Sequence, residues 1–248
     1  GEIHRMRNIH KMKKIAALLL AAALTFTAVP QTAGVAYAAT ANNVNTVKAN
    51  SAKLSDTKIK LNVGKKYRLT YTGMSGTVKW SSSNKSVATV NSKGLVKAQK
   101  PGKATITLTG SKATLKCTVQ VRLTQKQVQD QLFELYDEYP EGMSWTNENH
   151  SYYWKAINTY CYGCIAFAGE VSDKLFGKDA KVTTHRNFDK IKVGDHIRIG
   201  NYHSVIVLAK GPDELVVVEG NYNSSIHWGR EITERELKAS GFYVQSRY

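Results

Sequence analysis

The sequence predicts two modules: an all-β, antiparallel sandwich over residues 52–122, followed by an α+β domain over residues 123–248. The first stretch is built of short alternating segments separated by turn residues, whereas the second mixes helical spacing with strands that are apolar on both faces. The charge changes at the same point. Residues 41–122 carry sixteen Lys and Arg against one acidic residue, a net charge of +15, and residues 123–248 carry fourteen against seventeen, a net charge of −3. Such asymmetry is typical of two modules with different tasks.

The first 38 residues have the pattern of a secretory signal peptide. A basic start is followed by an apolar run over residues 15–26 and by Ala36-Tyr37-Ala38, which presents small residues at a cleavage site. The run is shorter than the roughly 20 residues that a membrane-spanning helix needs. We therefore expect export without a transmembrane anchor, a linker over residues 39–51, and a secreted, extracellular or wall-associated mature protein.

The sandwich module carries motifs with a specific family resemblance. They are VKWSSS from Val78, VATV from Val87 and PGKATIT from Pro101. These motifs resemble those of the bacterial Ig-like group 2 domain, and the resemblance implies a non-catalytic spacer or adhesion module. We expect Trp80 and Cys117 to belong to its core.

The excess of positive charge on this module predicts an anionic partner. Wall teichoic acids, acidic glycans and anionic lipid surfaces fit such a charge, and export makes nucleic acid the weaker choice. A solvated lysine-rich surface without a specific ligand is the alternative.

Two capping boxes and an aromatic segment mark the C-terminal module. Thr124 with Gln127, and Thr233 with Glu236, each predict the start of a helix. Residues 145–154 are rich in aromatic side chains, and we expect a loop or short helix there that either lines a cleft or packs the lobe.

Cys164 is the candidate nucleophile. Apolar residues at helical spacing over residues 165–176 place it in the first turn of a helix, where free N–H groups and the helix dipole favour a thiolate. Gly163 allows a tight turn and close approach of a substrate. Cys161 ranks second because no helix supports it. The CxxC spacing also permits a redox pair or half of a zinc site, but the chain has neither a preceding βαβ unit nor a second CxxC.

His203 and the Glu219-Gly220-Asn221 triplet supply candidates for a base and its orienting partner. His203 begins a strand that is apolar on both faces, which predicts a central position in a sheet. Glu219 ends the next strand, and Asn221 continues its two-residue alternation, so both should face the same side. A polar side chain beside an imidazole fixes its tautomer. His196, on the preceding strand, is the closest rival.

These residues also carry a resemblance that covers residues 123–248. Cys164-x-x-Phe167-Ala168, Val193-Gly194-Asp195, HSVIV from His203 and Glu219-Gly220-Asn221 resemble the CHAP and NlpC-like amidohydrolase/peptidase superfamily. The resemblance implies a papain-like α+β fold and cleavage of an amide bond in peptidoglycan. It also implies Cys164 as nucleophile, His203 as base and Glu219 or Asn221 as orienting residue, with no metal or organic cofactor. A non-enzymatic adhesin whose papain-like lobe is inactive is the competing hypothesis.

Overall fold

The structure is a computed structural model that describes Lys14 and residues 51–248. These residues divide into two compact units, with the boundary between Arg122 and Leu123. The predicted signal peptide, residues 1–38, and nearly all of the predicted linker, residues 39–51, lie outside the described residues. Within the described part of the chain, no helix is long and apolar enough to cross a membrane.

The N-terminal unit consists of β-strands arranged in a four-stranded sheet, β2-β9-β8-β5, a three-stranded sheet, β3-β7-β6, and the small pair β1-β4. Its strands are β1 (Lys53–Leu54), β2 (Lys58–Asn62), β3 (Lys66–Arg68), β4 (Tyr71–Thr72), β5 (Lys79–Ser82), β6 (Ala88–Val90), β7 (Leu95–Ala98), β8 (Gly102–Thr109) and β9 (Thr114–Arg122). Alternate residues of β8 and β9 are buried, which is the period that a sheet with one covered face requires.

Both main sheets contribute to one core, so this unit is the predicted β-sandwich. Val96, Ile106 and Val119 are fully buried there, as is Cys117. Trp80 is only partly buried and packs against this core. The strand pattern predicts an antiparallel arrangement throughout, but β2 pairs with β9 in parallel. Alternation along a strand reports its buried face and not the direction of its neighbour, so the sequence pattern misses this pair.

The C-terminal unit combines three helices with antiparallel strands. Its strands are β10 (Ser151–Trp154), β11 (Thr159–Tyr162), β12 (Thr183–His185), β13 (His196–Ile199), β14 (His203–Lys210), β15 (Glu214–Tyr222), β16 (Ser225–Thr233) and β17 (Phe242–Ser246). Its helices are α1 (Gln125–Glu134), α2 (Gly163–Phe176) and α3 (Glu234–Ser240), and short 3-10 turns cover Leu135–Asp137, Lys155–Ile157 and Phe188–Lys190.

A six-stranded sheet in the order β12-β17-β13-β14-β15-β16 is the centre of this unit. Helix α2 packs against β14 and β15, and Val205, Val217 and Leu237 belong to a separate apolar cluster. Residues 204–209 of β14 are therefore buried on both sides, as their continuous apolar run predicts.

The local helix signals are confirmed, and the aromatic segment differs from the expectation in its second part. Both capping boxes are present, at Thr124 and at Thr233. Residues 145–150 form the expected loop, whereas residues 151–154 form strand β10, which pairs with β11 in a hairpin. Aromatic and β-branched residues favour paired strands, and this preference prevails here.

Candidate active site

The Cys164 thiol lies at the start of helix α2, as the second helical residue. The preceding Tyr162 is extended and its side chain makes no capping hydrogen bond. The first N–H groups of any α-helix have no partner within the helix, and here the residue before the helix does not cap them. Together with the helix dipole, they favour a negative charge beside them. Cys164 is 7% exposed. The sulfur is thus largely withdrawn from water in a place that favours a thiolate.

His203, the first residue of β14, lies between the thiol and a buried carboxylate. Its Nε2 is 2.6 Å from Oε2 of Glu219, which is on the neighbouring strand β15. The Cys164 thiol, at the start of α2, lies close enough to the imidazole to raise its pKa. Because Nε2 is engaged by Glu219, Nδ1 is the nitrogen that is left for the sulfur. The site thus brings a thiol, an imidazole and a carboxylate together.

Glu219 is completely buried and is held by Arg230 as well as by His203. Arg230 donates to Oε1 through Nε and to Oε2 through Nη2, each over 2.6 Å. A carboxylate with no exposed surface needs such partners, because an unpaired buried charge is costly. Arg230 therefore keeps Glu219 ionised where it can orient the imidazole.

The pKa shifts of Cys164 and His203 agree with this geometry. Burial raises the pKa of the Cys164 thiol, but the hydrogen bond and charge of His203, the Ser204 backbone N–H and Arg198 outweigh it, so the net shift is downward. Burial alone would lower the pKa of His203, yet its bonds to Cys164 and Glu219 raise it to about 9. Both shifts favour a thiolate on Cys164 and a proton on His203.

Asn221, the other candidate orienting residue, lies elsewhere. The β15-β16 register shifts between Glu219 and Tyr222, and Asn221 has a left-handed backbone with φ 56°. Its side-chain amide donates to Oδ1 of Asn147 over 3.2 Å. Of the two alternatives, the structure brings only Glu219 to His203.

Gly163 has a steric role next to the nucleophile. Its φ is +53°, and a Cβ at this position would come within 2.0 Å of Oδ1 of Asn147 and 2.8 Å of Nδ2 of Asn221. A side chain is excluded by both the backbone conformation and the available space. The asparagine pair thus lies directly over the residue before Cys164.

Arg198 is a site residue that the sequence pattern does not predict. Its Nη1 lies 3.8 Å from Sγ of Cys164 and 3.1 Å from Oγ of Ser204. The available signal is the alternation in β13, where Ile197 and Ile199 are buried in the apolar cluster and the arginine between them points to the other face. Nothing in the local pattern reveals that this face meets the cysteine.

His196 and Cys161, the two rival candidates, have other surroundings. His196 is buried, hydrogen bonds to Gln245 through Nδ1 over 2.8 Å, and packs edge-on against Trp154. Burial lowers the pKa of His196 to about 4, so it is neutral. Cys161 is free and buried, and burial raises its pKa. These surroundings suit structural side chains.

A cavity of about 220 Å³ opens beside His203. Ile199, Ile232 and Leu237 give it an apolar wall, and the rest of its lining is Tyr202, His203, Arg230, Glu236 and Ser240. Within the described ranges, no group of three His, Cys, Asp or Glu side chains is arranged to hold a metal ion.

The N-terminal unit presents a cationic face, here called the lysine face. It is the outer surface of the four-stranded sheet, opposite the core, and its exposed lysines are Lys58, Lys60, Lys79, Lys103 and Lys116. Strand pairing places hydroxyl and amide side chains between them, for example Lys60 beside Gln120. The strands of this sheet carry no Asp or Glu.

Comparison with known proteins gives a family match for the N-terminal unit. No curated protein matches the chain. Among solved structures, domains 4 and 5 of the S-layer protein SbsC match with 21% identity and a TM-score of 0.26, over 30% of this chain and 52% of that one. Domains 5-6 match with 13% identity and a TM-score of 0.26, over 74% of this chain and 96% of that one.

The chain thus spans about half the length of the first of these structures, and TM-scores this low carry no conclusion about its fold. The family match is specific. Residues 40–121 match the bacterial Ig-like domain (group 2), starting twelve residues before the module boundary that the strand pattern predicts.

Proposed function

We propose that this protein is a secreted, wall-associated hydrolase whose C-terminal unit is a papain-like cysteine amidase or endopeptidase acting on peptidoglycan. The observation that carries the proposal is the contact of His203 with the fully buried carboxylate of Glu219, beside a cysteine sulfur at a helix start. A nucleophile, a base and an orienting group in contact are what cysteine acyl transfer requires.

In the proposed acylation step, the Cys164 thiolate attacks the carbonyl carbon of a substrate amide. The Cys164 backbone N–H, in the first turn of α2, donates to the oxyanion that forms. The His203 imidazolium then gives its proton to the nitrogen of the leaving amine as the C–N bond breaks. The amine departs and the acyl group remains on sulfur as a thioester.

Deacylation reverses these roles. Neutral His203 takes a proton from water, and the hydroxide adds to the thioester carbonyl. The intermediate collapses with loss of the Cys164 thiolate, the acid product leaves, and the thiolate–imidazolium pair is restored. Glu219, fixed by Arg230, keeps the imidazole in orientation through both steps.

Peptidoglycan as the substrate rests on three supports. The motifs around Cys164, His203 and Glu219 resemble those of wall-cleaving amidohydrolases, the leader pattern predicts export, and residues 40–121 match an Ig-like domain. The cavity beside His203 is large enough for one side chain of a peptide, and its apolar wall would stabilise an aliphatic stem.

The lysine face is the proposed attachment surface of the N-terminal unit. Several cations on one flat sheet face without a carboxylate are complementary to a polymer of repeating negative charge, such as a wall teichoic acid. Asp56, the single acidic residue among residues 41–122, accepts a hydrogen bond from Tyr67 and lies on none of these strands.

The hydrolase proposal is tested by muropeptide release from purified cell walls. The protein should release fragments, and Cys164→Ala should abolish release, whereas the matched variant Cys161→Ala should retain it. Mass analysis of the fragments would identify the bond. If neither the protein nor its variants released anything from walls of several bacteria, the competing adhesin would replace the hydrolase. Release that survives Cys164→Ala would mean a different nucleophile.

The attachment proposal is tested by binding to a glycerol phosphate polymer at several salt concentrations. Replacement of Lys58, Lys60 and Lys116 by Gln should weaken binding and flatten its salt dependence, because fewer counterions are released. The control replaces Lys66, Lys97 and Lys100, which lie outside the four-stranded sheet, with the same loss of charge. Equal losses of binding in both triple variants would mean that the net charge of the unit matters and the position of these lysines does not.

A further inference from the structure

Arg198 is held beside the nucleophile by two anchors. Nη1 donates to Oγ of Ser204 over 3.1 Å, and Nη2 donates to the carbonyl oxygen of Asn201. Ser204 is fully buried and lies across from Arg198 in the β13-β14 pair. The position of the guanidinium is therefore set by neighbouring backbone and a buried side chain.

The same nitrogen faces the sulfur of Cys164. The Nη1–Sγ distance of 3.8 Å is within hydrogen-bonding reach for sulfur. A guanidinium remains protonated throughout the pH range of protein chemistry, whereas the imidazolium of His203 loses its proton in each proposed turnover. Arg198 thus supplies a positive charge that catalysis does not consume.

We propose that Arg198 is a catalytic residue that stabilises the Cys164 thiolate as a second, permanent cation. The inference rests on the proposed function, in which Cys164 is the nucleophile. Its effect is exerted where the sulfur carries negative charge, in the free enzyme before attack and again when the thiolate departs from the second intermediate. No additional reactant is required, since the arginine transfers neither a proton nor an electron.

The charged and titratable groups that face Cys164 come from three strands. They are His203 from β14, Arg198 from β13 and the thiol of Cys161 from β11. The two cations lower the pKa of Cys164, against the opposing effect of burial. Removal of one cation at a time separates their contributions.

The test is the pH dependence of iodoacetamide alkylation at Cys164 in the full chain, followed by mass spectrometry of the peptide that contains this residue. His203→Ala is compared with the double variant His203→Ala/Arg198→Met. We expect the double variant to have a midpoint about one pH unit higher, and hence about tenfold slower alkylation on the acid limb. Equal midpoints would overturn the proposal.

Two further variants separate this role from a purely structural one. Ser204→Ala removes one anchor of the guanidinium but keeps its charge. The pH midpoint of Cys164 alkylation should therefore move less in Ser204→Ala than in Arg198→Met. Arg198→Lys keeps a cation and should recover part of the shift; it also provides the comparison if Arg198→Met does not fold. A midpoint that moves as far in Arg198→Lys as in Arg198→Met would contradict a charge effect.

Alkylation requires no wall substrate, so the outcomes of the two proposals are distinguishable. If the protein releases no muropeptides but the pH midpoint of Cys164 alkylation depends on Arg198 as expected, only the proposed function is rejected. Release that depends on Cys164, with a midpoint independent of Arg198, would reject this inference alone.

Discussion

Oε2 of Glu219 lies 2.6 Å from Nε2 of His203, and the carboxylate that makes this contact has no exposed surface. Arg230 holds the same carboxylate, and the net effect of its partners is a lowered pKa for Glu219 despite burial, which raises it. Strands β14, β15 and β16 therefore hold a carboxylate behind the imidazole in a place that favours its ionised form.

Glu219→Gln removes the charge behind His203 and keeps the shape of the side chain. The pKa of His203, raised to about 9 in the protein, should fall toward its ordinary value. Since catalysis needs the imidazolium, the alkaline limb of activity should move to lower pH, with a rate loss on the order of 10²-fold. The pH dependence of muropeptide release measures both effects. Glu214→Gln, at the other end of β15, is the matched control and should leave the limb in place.

Asn221→Gly tests the alternative orienting residue. Glycine adopts the left-handed backbone that Asn221 has here, so the fold should tolerate the change. Because the amide of Asn221 contacts Asn147 rather than His203, the alkaline limb of the pH–rate profile should stay near pH 9. A limb that moves as it does in Glu219→Gln would identify Asn221 as the orienting residue instead.

Gly163→Ala should greatly reduce activity, because a methyl group would collide with Asn147 and displace the turn that carries Cys164. Gly177→Ala is the control. Gly177 ends the same helix with φ +86°, and a Cβ placed there would have no other atom within 4 Å, so this variant shares the backbone strain without the collision. We expect Gly177→Ala to lose about 1 kcal/mol of stability and to retain its activity. Similar activity in both variants would show that the space over Gly163 is unimportant.

Asp195 predicts a pH dependence of stability that is separate from catalysis. Burial raises its pKa from 3.8 to about 7, even though the Lys192 backbone N–H donates to Oδ2. Between these values the folded chain keeps a proton that the unfolded chain has released, so the free energy of unfolding falls as pH rises from about 4 to about 7. The total loss is on the order of a few kcal/mol.

Asp195→Asn removes this titration and should flatten the stability profile over that range, as measured by urea unfolding at several pH values. Asp213→Asn, on an exposed turn, should leave the slope unchanged. A slope that persists in Asp195→Asn would assign the effect to other groups.

The sequence predicts those parts of the structure whose signals are local. The capping boxes at Thr124 and Thr233, the helix after Gly163 and the doubly buried β14 each depend on a few adjacent residues, and they are confirmed. The Ig-like module carries family motifs, and residues 40–121 match the bacterial Ig-like domain (group 2).

Parts that depend on strand pairing were not accessible from the sequence. Arg198 reaches Cys164, and Arg230 reaches Glu219, only because β13, β14, β15 and β16 adjoin in the sheet. Extending the alternation of β15 to Asn221 fails for a related reason. The register shift after Glu219 and the left-handed backbone at Asn221 break the two-residue period on which that extrapolation depends.

Trapping the acyl-enzyme would establish or exclude covalent catalysis by Cys164. The protein is mixed with purified cell walls and quenched in acid within the first turnovers, and the peptide that contains Cys164 is analysed by mass spectrometry. We expect a mass increase equal to a muropeptide acyl group on Cys164, enriched in Glu219→Gln if deacylation is slowed more than acylation, and absent in Cys164→Ala. Muropeptide release without any adduct on Cys164 in either form, or an adduct on Cys161 instead, would contradict the proposed mechanism.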